Sequence, residues 1–210
     1  MQSVLCFGDS NTWGYEPGTG LRFDHTVRWT ALTQTLLNND IKLYEAGLNG
    51  RTTNSDDAGR DFRCGSQLLN LYLESCRPLS LVIISLGTND LKASLSLSVD
   101  EIKAGAKVLC EQVQSFDFSP YQAPQVLLVA PAPLVDSAAL DEEFETALTA
   151  SRKLAAAYFH LSRELGIHFL DAGKIVKTSP VDGVHWDADA HLDFARHLSA
   201  LLPSIIDAGE

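Results

Sequence analysis

Val4-Leu5-Cys6-Phe7-Gly8-Asp9-Ser10-Asn11 is the stretch from which the fold is read. Its four apolar residues stop abruptly at a Gly-Asp pair, the pattern of a short strand running into a tight turn. Four further runs of this kind follow at 41–45, 81–86, 125–130 and 167–170, and none contains proline. Between them, apolar residues recur every three to four positions, which is helical periodicity. The helical pattern is plainest over 141–165, where Phe144, Leu148, Leu154, Tyr158, Leu161 and Leu165 fall on one stripe and Gly166 supplies the stop. Residues 187–206 repeat it with Leu192, Ala195, Leu198, Leu202 and Ile205, and Asp187 and Asp189 stand where an N-terminal turn favours negative charge. The alternation predicts an α/β protein with a five-stranded, mostly parallel sheet closed by this last helix.

Length and composition narrow the possibilities. The chain has 210 residues, enough for a full core and too few for two ordinary domains, and no repeat or linker-like tract divides it. One domain over 1–210 is expected. The formal charge of −11 repels phosphate backbones and anionic headgroups, so nucleic-acid and membrane partners are not expected. The opening apolar run is too short for a signal peptide, and no stretch reaches the length of a membrane span. Cys6, Cys64, Cys76 and Cys110 lack CxxC spacing and sit mostly among apolar residues. They read as free thiols of a soluble cytoplasmic protein, not as a disulfide framework or a zinc site.

Parallel strands place whatever follows them at one edge of the sheet, where open α/β folds bind ligands. Past the first three strands come Gly8-Asp9-Ser10-Asn11, Gly47-Leu48-Asn49-Gly50 and Gly87-Thr88-Asn89-Asp90, and past the fifth comes Asp182-Gly183-Val184-His185. Together they hold a hydroxyl, an imidazole, a carboxylate and amide donors, the parts of an acyl-transfer site. A serine is a weak nucleophile at neutral pH, so Ser10 needs a base within reach, and His185 is the best-placed histidine. Asp182, three residues earlier, is placed to fix the tautomer of that ring. The Ser10 N–H, a glycine N–H of the second cluster and the Asn89 amide are the candidate oxyanion donors, with Gly50 allowing close backbone approach.

Simpler roles account for other residues. Asp9, beside the nucleophile candidate in a tight turn, reads as a holder of the loop, and Asp90 receives no catalytic role. His185, His191 and His197 recur every six residues, about 240° apart on a helix, which does not make a metal site. His25, His160 and His168 read as ordinary surface or part-buried histidines. In the irregular stretch 12–27, Trp13, Tyr15 and Phe23 are candidates for a substrate pocket or a subunit contact, while Trp29 reads as core.

On these blocks the chain resembles the SGNH hydrolases, or GDSL-type esterases, across nearly its whole length. Ser10 in Gly-Asp-Ser matches the family nucleophile, Gly50 in Asn-Gly-Arg-Thr-Thr and Asn89 in Gly-Thr-Asn-Asp match the oxyanion residues, and Asp182 with His185 match the base pair. Asn11 stands where the eponymous motif has leucine. That residue, with Trp13-Gly14, Arg51-Thr52-Thr53 and Ala130-Pro131, makes the chain similar to the bacterial arylesterase and acyltransferase branch. The resemblance implies a flavodoxin-like three-layer α/β/α sandwich without metal or cofactor, acting on small acyl esters. It also raises the prospect of a homo-oligomer.

The expected activity is hydrolysis of short-chain carboxylic esters through an acyl-enzyme. Acyl transfer, thioesterase action on acyl-CoA and sugar deacetylation stand as alternatives within the fold. A thioesterase would gain from cations at the mouth. Arg22, Arg28, Arg51, Arg60 and Arg63 lie in the right loops, offset by Asp24, Asp56, Asp57 and Asp61. Trp13 and Arg51 are the candidate substrate contacts. A non-catalytic flavodoxin-like binding domain is the competing class, but the chain has neither GxGxxG nor GxxxxGK[ST].

Overall fold

The computed structural model describes residues 2–38 and 40–207. Its strands are β1 (Gln2–Gly8), β2 (Ile41–Gly47), β3 (Leu81–Ser85), β4 (Gln125–Ala130) and β5 (His168–Asp171). They pair in the order β2-β1-β3-β4-β5, and every neighbouring pair is parallel. The expected "mostly parallel" sheet is thus wholly parallel.

Both faces of this sheet are covered, and the strand residues alternate between them. Leu5 and Phe7 of β1, Val82 and Ile84 of β3 and Leu128 of β4 pack into one core with α3 (Gly65–Cys76), α4 (Val99–Ser115) and α6 (Leu154–Leu165). Val4, Cys6, Leu81, Ile83 and Leu127 pack into the other, against α2 (Trp29–Leu36) and α7 (Ala188–Asp207). Each fully buried Val, Leu, Ile or Phe side chain contributes about 1.5–3 kcal/mol, so the three inner strands β1, β3 and β4 anchor both layers. The result is the three-layer α/β/α sandwich. Trp29 belongs to this core, edge-on to Phe194 at 5.3 Å between centroids.

Local signals explain the helix ends. Ser98 and Glu101 form a reciprocal capping box at the start of α4. The Asp187 carboxylate accepts the Ala190 N–H at 2.9 Å where α7 begins. Gly166 ends α6 in the left-handed conformation.

The helix expected over 141–165 is three pieces. Glu142–Ala147 is 3-10, α5 is Leu148–Ser151, and α6 starts only at Leu154. The break lies where Ser151 Oγ donates to the Leu148 carbonyl at 2.8 Å and accepts the Leu134 N–H at 3.1 Å. A hydroxyl so engaged ties the chain to the loop after β4, and the apolar stripe cannot reveal that.

Candidate active site

The turn after β1 is built for close approach. A Cβ on Gly8 would lie 2.0 Å from Thr12 Oγ1, so only glycine lets the strand pass directly into the short helix α1 (Ser10–Trp13). The Asp9 carboxylate caps that helix by accepting the Asn11 N–H at 3.0 Å. Ser10 is thereby the first helical residue, its hydroxyl facing the carboxyl edge of the sheet.

The segment after β5 supplies the imidazole. Asp182 Oδ1 accepts the backbone N–H groups of Val184 at 3.0 Å and His185 at 2.9 Å, while its Oδ2 lies 2.8 Å from His185 Nδ1. Burial works to raise the Asp182 carboxyl, but these hydrogen bonds outweigh it and hold the group below the usual carboxylate range. An ionised acceptor at Nδ1 requires that nitrogen to carry the proton, which leaves the Nε2 lone pair for Ser10. Nε2 is 2.9 Å from Ser10 Oγ. Tyr15 covers the ring, its centroid 4.0 Å from that of His185 and its plane tilted by 24°.

Donors face the hydroxyl from three loops. Gly50 takes φ +81°, a backbone that favours glycine, and neither its N–H nor that of Ser10 has an acceptor among the described residues. The Asn89 amide spends one hydrogen on the Arg51 carbonyl at 3.1 Å, which orients it and leaves the second. Ser10, Gly50, Asn89, His185 and Tyr15 all line one cavity of about 310 Å³. Its rim is charged: Arg60 and Lys92 meet Asp141 and Glu143 there, and Asp57 pairs with Lys92 at 2.6 Å and Arg60 at 3.8 Å.

Two expected substrate contacts sit elsewhere. Arg51 is fully buried beneath the cavity, its Nη1 donating to the Gly8 and Ala46 carbonyls and its plane 4.0 Å over the Phe7 ring. A cation so engaged binds the ends of β1 and β2 together instead of meeting a ligand. Trp13 also lies outside the cavity wall, with Arg22 over its ring at 5.0 Å. Phe23 packs edge-on to the buried His191 at 5.4 Å. Asp90 accepts from the N–H and hydroxyl of Thr53, tying the loop after β2 to the loop after β3.

Lys92, Asp141 and Glu143 also line the cavity, although no motif in the sequence singles them out. Lys92 follows the third cluster by two residues, a signal that was available. The two carboxylates come from the start of the 3-10 piece, within the stretch read as a continuous helix. Among the described residues no group of three or more His, Cys, Asp or Glu side chains is arranged to hold a metal.

The sequence profile of the GDSL-like lipase/acylhydrolase family matches residues 6–200. No curated protein gives a significant match to the chain. Among solved structures, a carbohydrate acetylesterase from Sinorhizobium meliloti is 34% identical, with a TM-score of 0.93 over 97% of this chain and 99% of that one. An aryl esterase from M. smegmatis is 36% identical, with a TM-score of 0.93 over 98% of this chain and 100% of that one.

Proposed function

The chain belongs to the GDSL-like lipase/acylhydrolase family and is a carboxylic ester hydrolase, and from that premise we propose that Ser10, His185 and Asp182 work as its catalytic triad on short-chain acyl esters of polar alcohols. The observation that carries this reading is the relay from Ser10 Oγ through 2.9 Å to His185 Nε2, and from Nδ1 through 2.8 Å to Asp182.

In this mechanism Ser10 Oγ attacks the ester carbonyl carbon as His185 Nε2 takes the hydroxyl proton. The carbonyl oxygen becomes the oxyanion, held by the N–H groups of Ser10 and Gly50 and by the Asn89 amide. Collapse expels the alcohol, which leaves with the proton from His185, and the acyl group stays on Ser10. Water, deprotonated by the same imidazole, then attacks the acyl-enzyme and regenerates Ser10. An alcohol in place of that water receives the acyl group instead.

Support for a short acyl group and a polar leaving group comes from the small cavity and its charged rim of Arg60, Lys92, Asp141 and Glu143, which offers little to a long alkyl chain. The names of the relatives, a carbohydrate acetylesterase and an aryl esterase, agree with that size. Among the described residues all four cysteines are free, and no helix is long and apolar enough to cross a membrane.

The test is the initial rate on p-nitrophenyl acetate and p-nitrophenyl octanoate for wild type and Ser10→Ala, with circular dichroism confirming folded protein. Acetate preferred, and turnover lost in Ser10→Ala, is the expected result. Equal rates in the two proteins overturn the triad, and octanoate preferred overturns the short-chain reading.

A further inference from the structure

Asn11 is the residue at which the chain departs from its family's eponymous motif, and it is only 7% exposed. Both ends of that amide are spent on the segment carrying the base. Oδ1 accepts the Trp186 N–H at 2.9 Å, and Nδ2 donates to the Val184 carbonyl at 3.5 Å. Those two peptide groups flank His185, so one side chain holds the backbone on either side of the imidazole, much as a neighbouring strand would.

The surrounding ties show what this adds. Asp182 Oδ1 takes the N–H groups of Val184 and His185, and the Ser179 N–H donates to the His185 carbonyl at 2.7 Å. These bonds shape the His185 loop from within and say nothing about where it sits relative to Ser10, 175 residues away. Apart from the Ser10 hydroxyl itself, Asn11 supplies the hydrogen bonds between that loop and the turn carrying Ser10 among the described residues. Its own backbone is fixed in turn, since its N–H is bound by Asp9.

We propose that Asn11 is a positioning residue that sets the separation between Ser10 Oγ and His185 Nε2, an inference that rests on the serine-hydrolase reading above. A leucine fills a similar volume but accepts nothing. It leaves the buried Trp186 N–H without its partner and the His185 loop free to settle at another distance from the nucleophile. Proton transfer depends steeply on that distance, whereas Gly50, Asn89 and the charged side chains that also line the cavity belong to other segments and keep their places.

The experiment compares wild type, Asn11→Leu, Asn11→Ser and Ser10→Ala on p-nitrophenyl acetate, with the concentration of competent sites counted by a fluorophosphonate that labels the reactive serine. Serine at position 11 is too short to span both peptide groups and supplies a small polar variant should leucine fail to fold. The expected result is a kcat per titrated site lowered about 10- to 100-fold in the folded Asn11 variants, with KM within about threefold of wild type. A kcat per titrated site within about twofold of wild type overturns the proposal, even if fewer sites titrate, because the role is then purely structural. A raised KM with unchanged kcat overturns it as well. Turnover surviving in Ser10→Ala overturns the underlying serine-hydrolase reading, and this inference with it. Loss in Ser10→Ala alongside intact Asn11 variants overturns only the inference.

Discussion

Tyr15 lies stacked on His185, ring on ring, with centroids 4.0 Å apart. The loop holds it there: the Tyr15 N–H donates to the Ser10 carbonyl at 3.0 Å, and the residue bridges to Arg22 across the hairpin. The aromatic face shields one side of the imidazole from water and, in the proposed mechanism, attracts the positive charge that the ring would gain on taking the serine proton. Tyr15→Ala is therefore expected to lower kcat about 3- to 30-fold, while Tyr15→Phe, which keeps the face, stays within about twofold. Steady-state rates on p-nitrophenyl acetate measure both. Equal losses in the two variants assign the effect to the hydroxyl and not to the ring.

Asn89 reaches the cavity with its amide plane fixed by the Arg51 carbonyl. A donor fixed before the reaction stabilises the oxyanion more than the neutral ester, so its removal falls on the chemical step. Asn89→Ala should lower kcat about 10²- to 10³-fold with little change in KM. A full rate in this variant removes Asn89 from the oxyanion site.

The strands were legible because each is a short proline-free run, rich in apolar residues or, as in Ile41-Lys42-Leu43-Tyr44-Glu45, alternating, and their parallel pairing placed four polar clusters at one edge. Gly166 was legible as a helix stop for a local reason, since left-handed backbone favours glycine. What sequence concealed was tertiary. Nothing in the periodicity of 141–165 announces that Ser151 bonds the Leu134 N–H and breaks the helix. Likewise, Arg51 next to Gly50 looks like a ligand contact from spacing alone. Its neighbours in the fold, the carbonyls of Gly8 and Ala46, lie on two different strands. Tyr15 was a pocket candidate by its loop, but its place on the face of His185 depends on how that loop folds back.

Arg51 makes a prediction of its own. Burial pulls its pKa down, yet a guanidinium stays charged at any ordinary pH, so a permanent cation sits among the ends of β1 and β2. Lysine keeps the charge but lacks the planar fork and the surface that stacks on Phe7 and Tyr72. Arg51→Lys is expected to cost about 2–4 kcal/mol of stability, by urea unfolding, and to leave KM within about twofold in the fraction that stays folded. A large rise in KM with unchanged stability would return Arg51 to the role of substrate contact.

Two buried carboxyls give the fold a pH dependence. Burial pushes both Asp9 and Asp90 up to about 6, against the pull of the Asn11 N–H on the first and of the Thr53 hydroxyl and N–H on the second. Unfolded, each titrates near the ordinary 3.8. Between those values the folded chain holds protons that the unfolded chain has lost, so this contribution is complete below the unfolded value and disappears as pH rises through the folded one. From pH 5 to pH 8 each carboxyl should therefore subtract about 1–1.5 kcal/mol from the unfolding free energy. Asparagine at position 90 still offers an oxygen to the Thr53 N–H but has nothing to ionise. Urea unfolding of Asp90→Asn should accordingly lose less stability than wild type across that interval, so the variant gains on wild type as pH rises. Parallel curves for the two proteins would mean that Asp90 is already ionised in the folded chain at pH 5, with the Thr53 hydrogen bonds outweighing its burial.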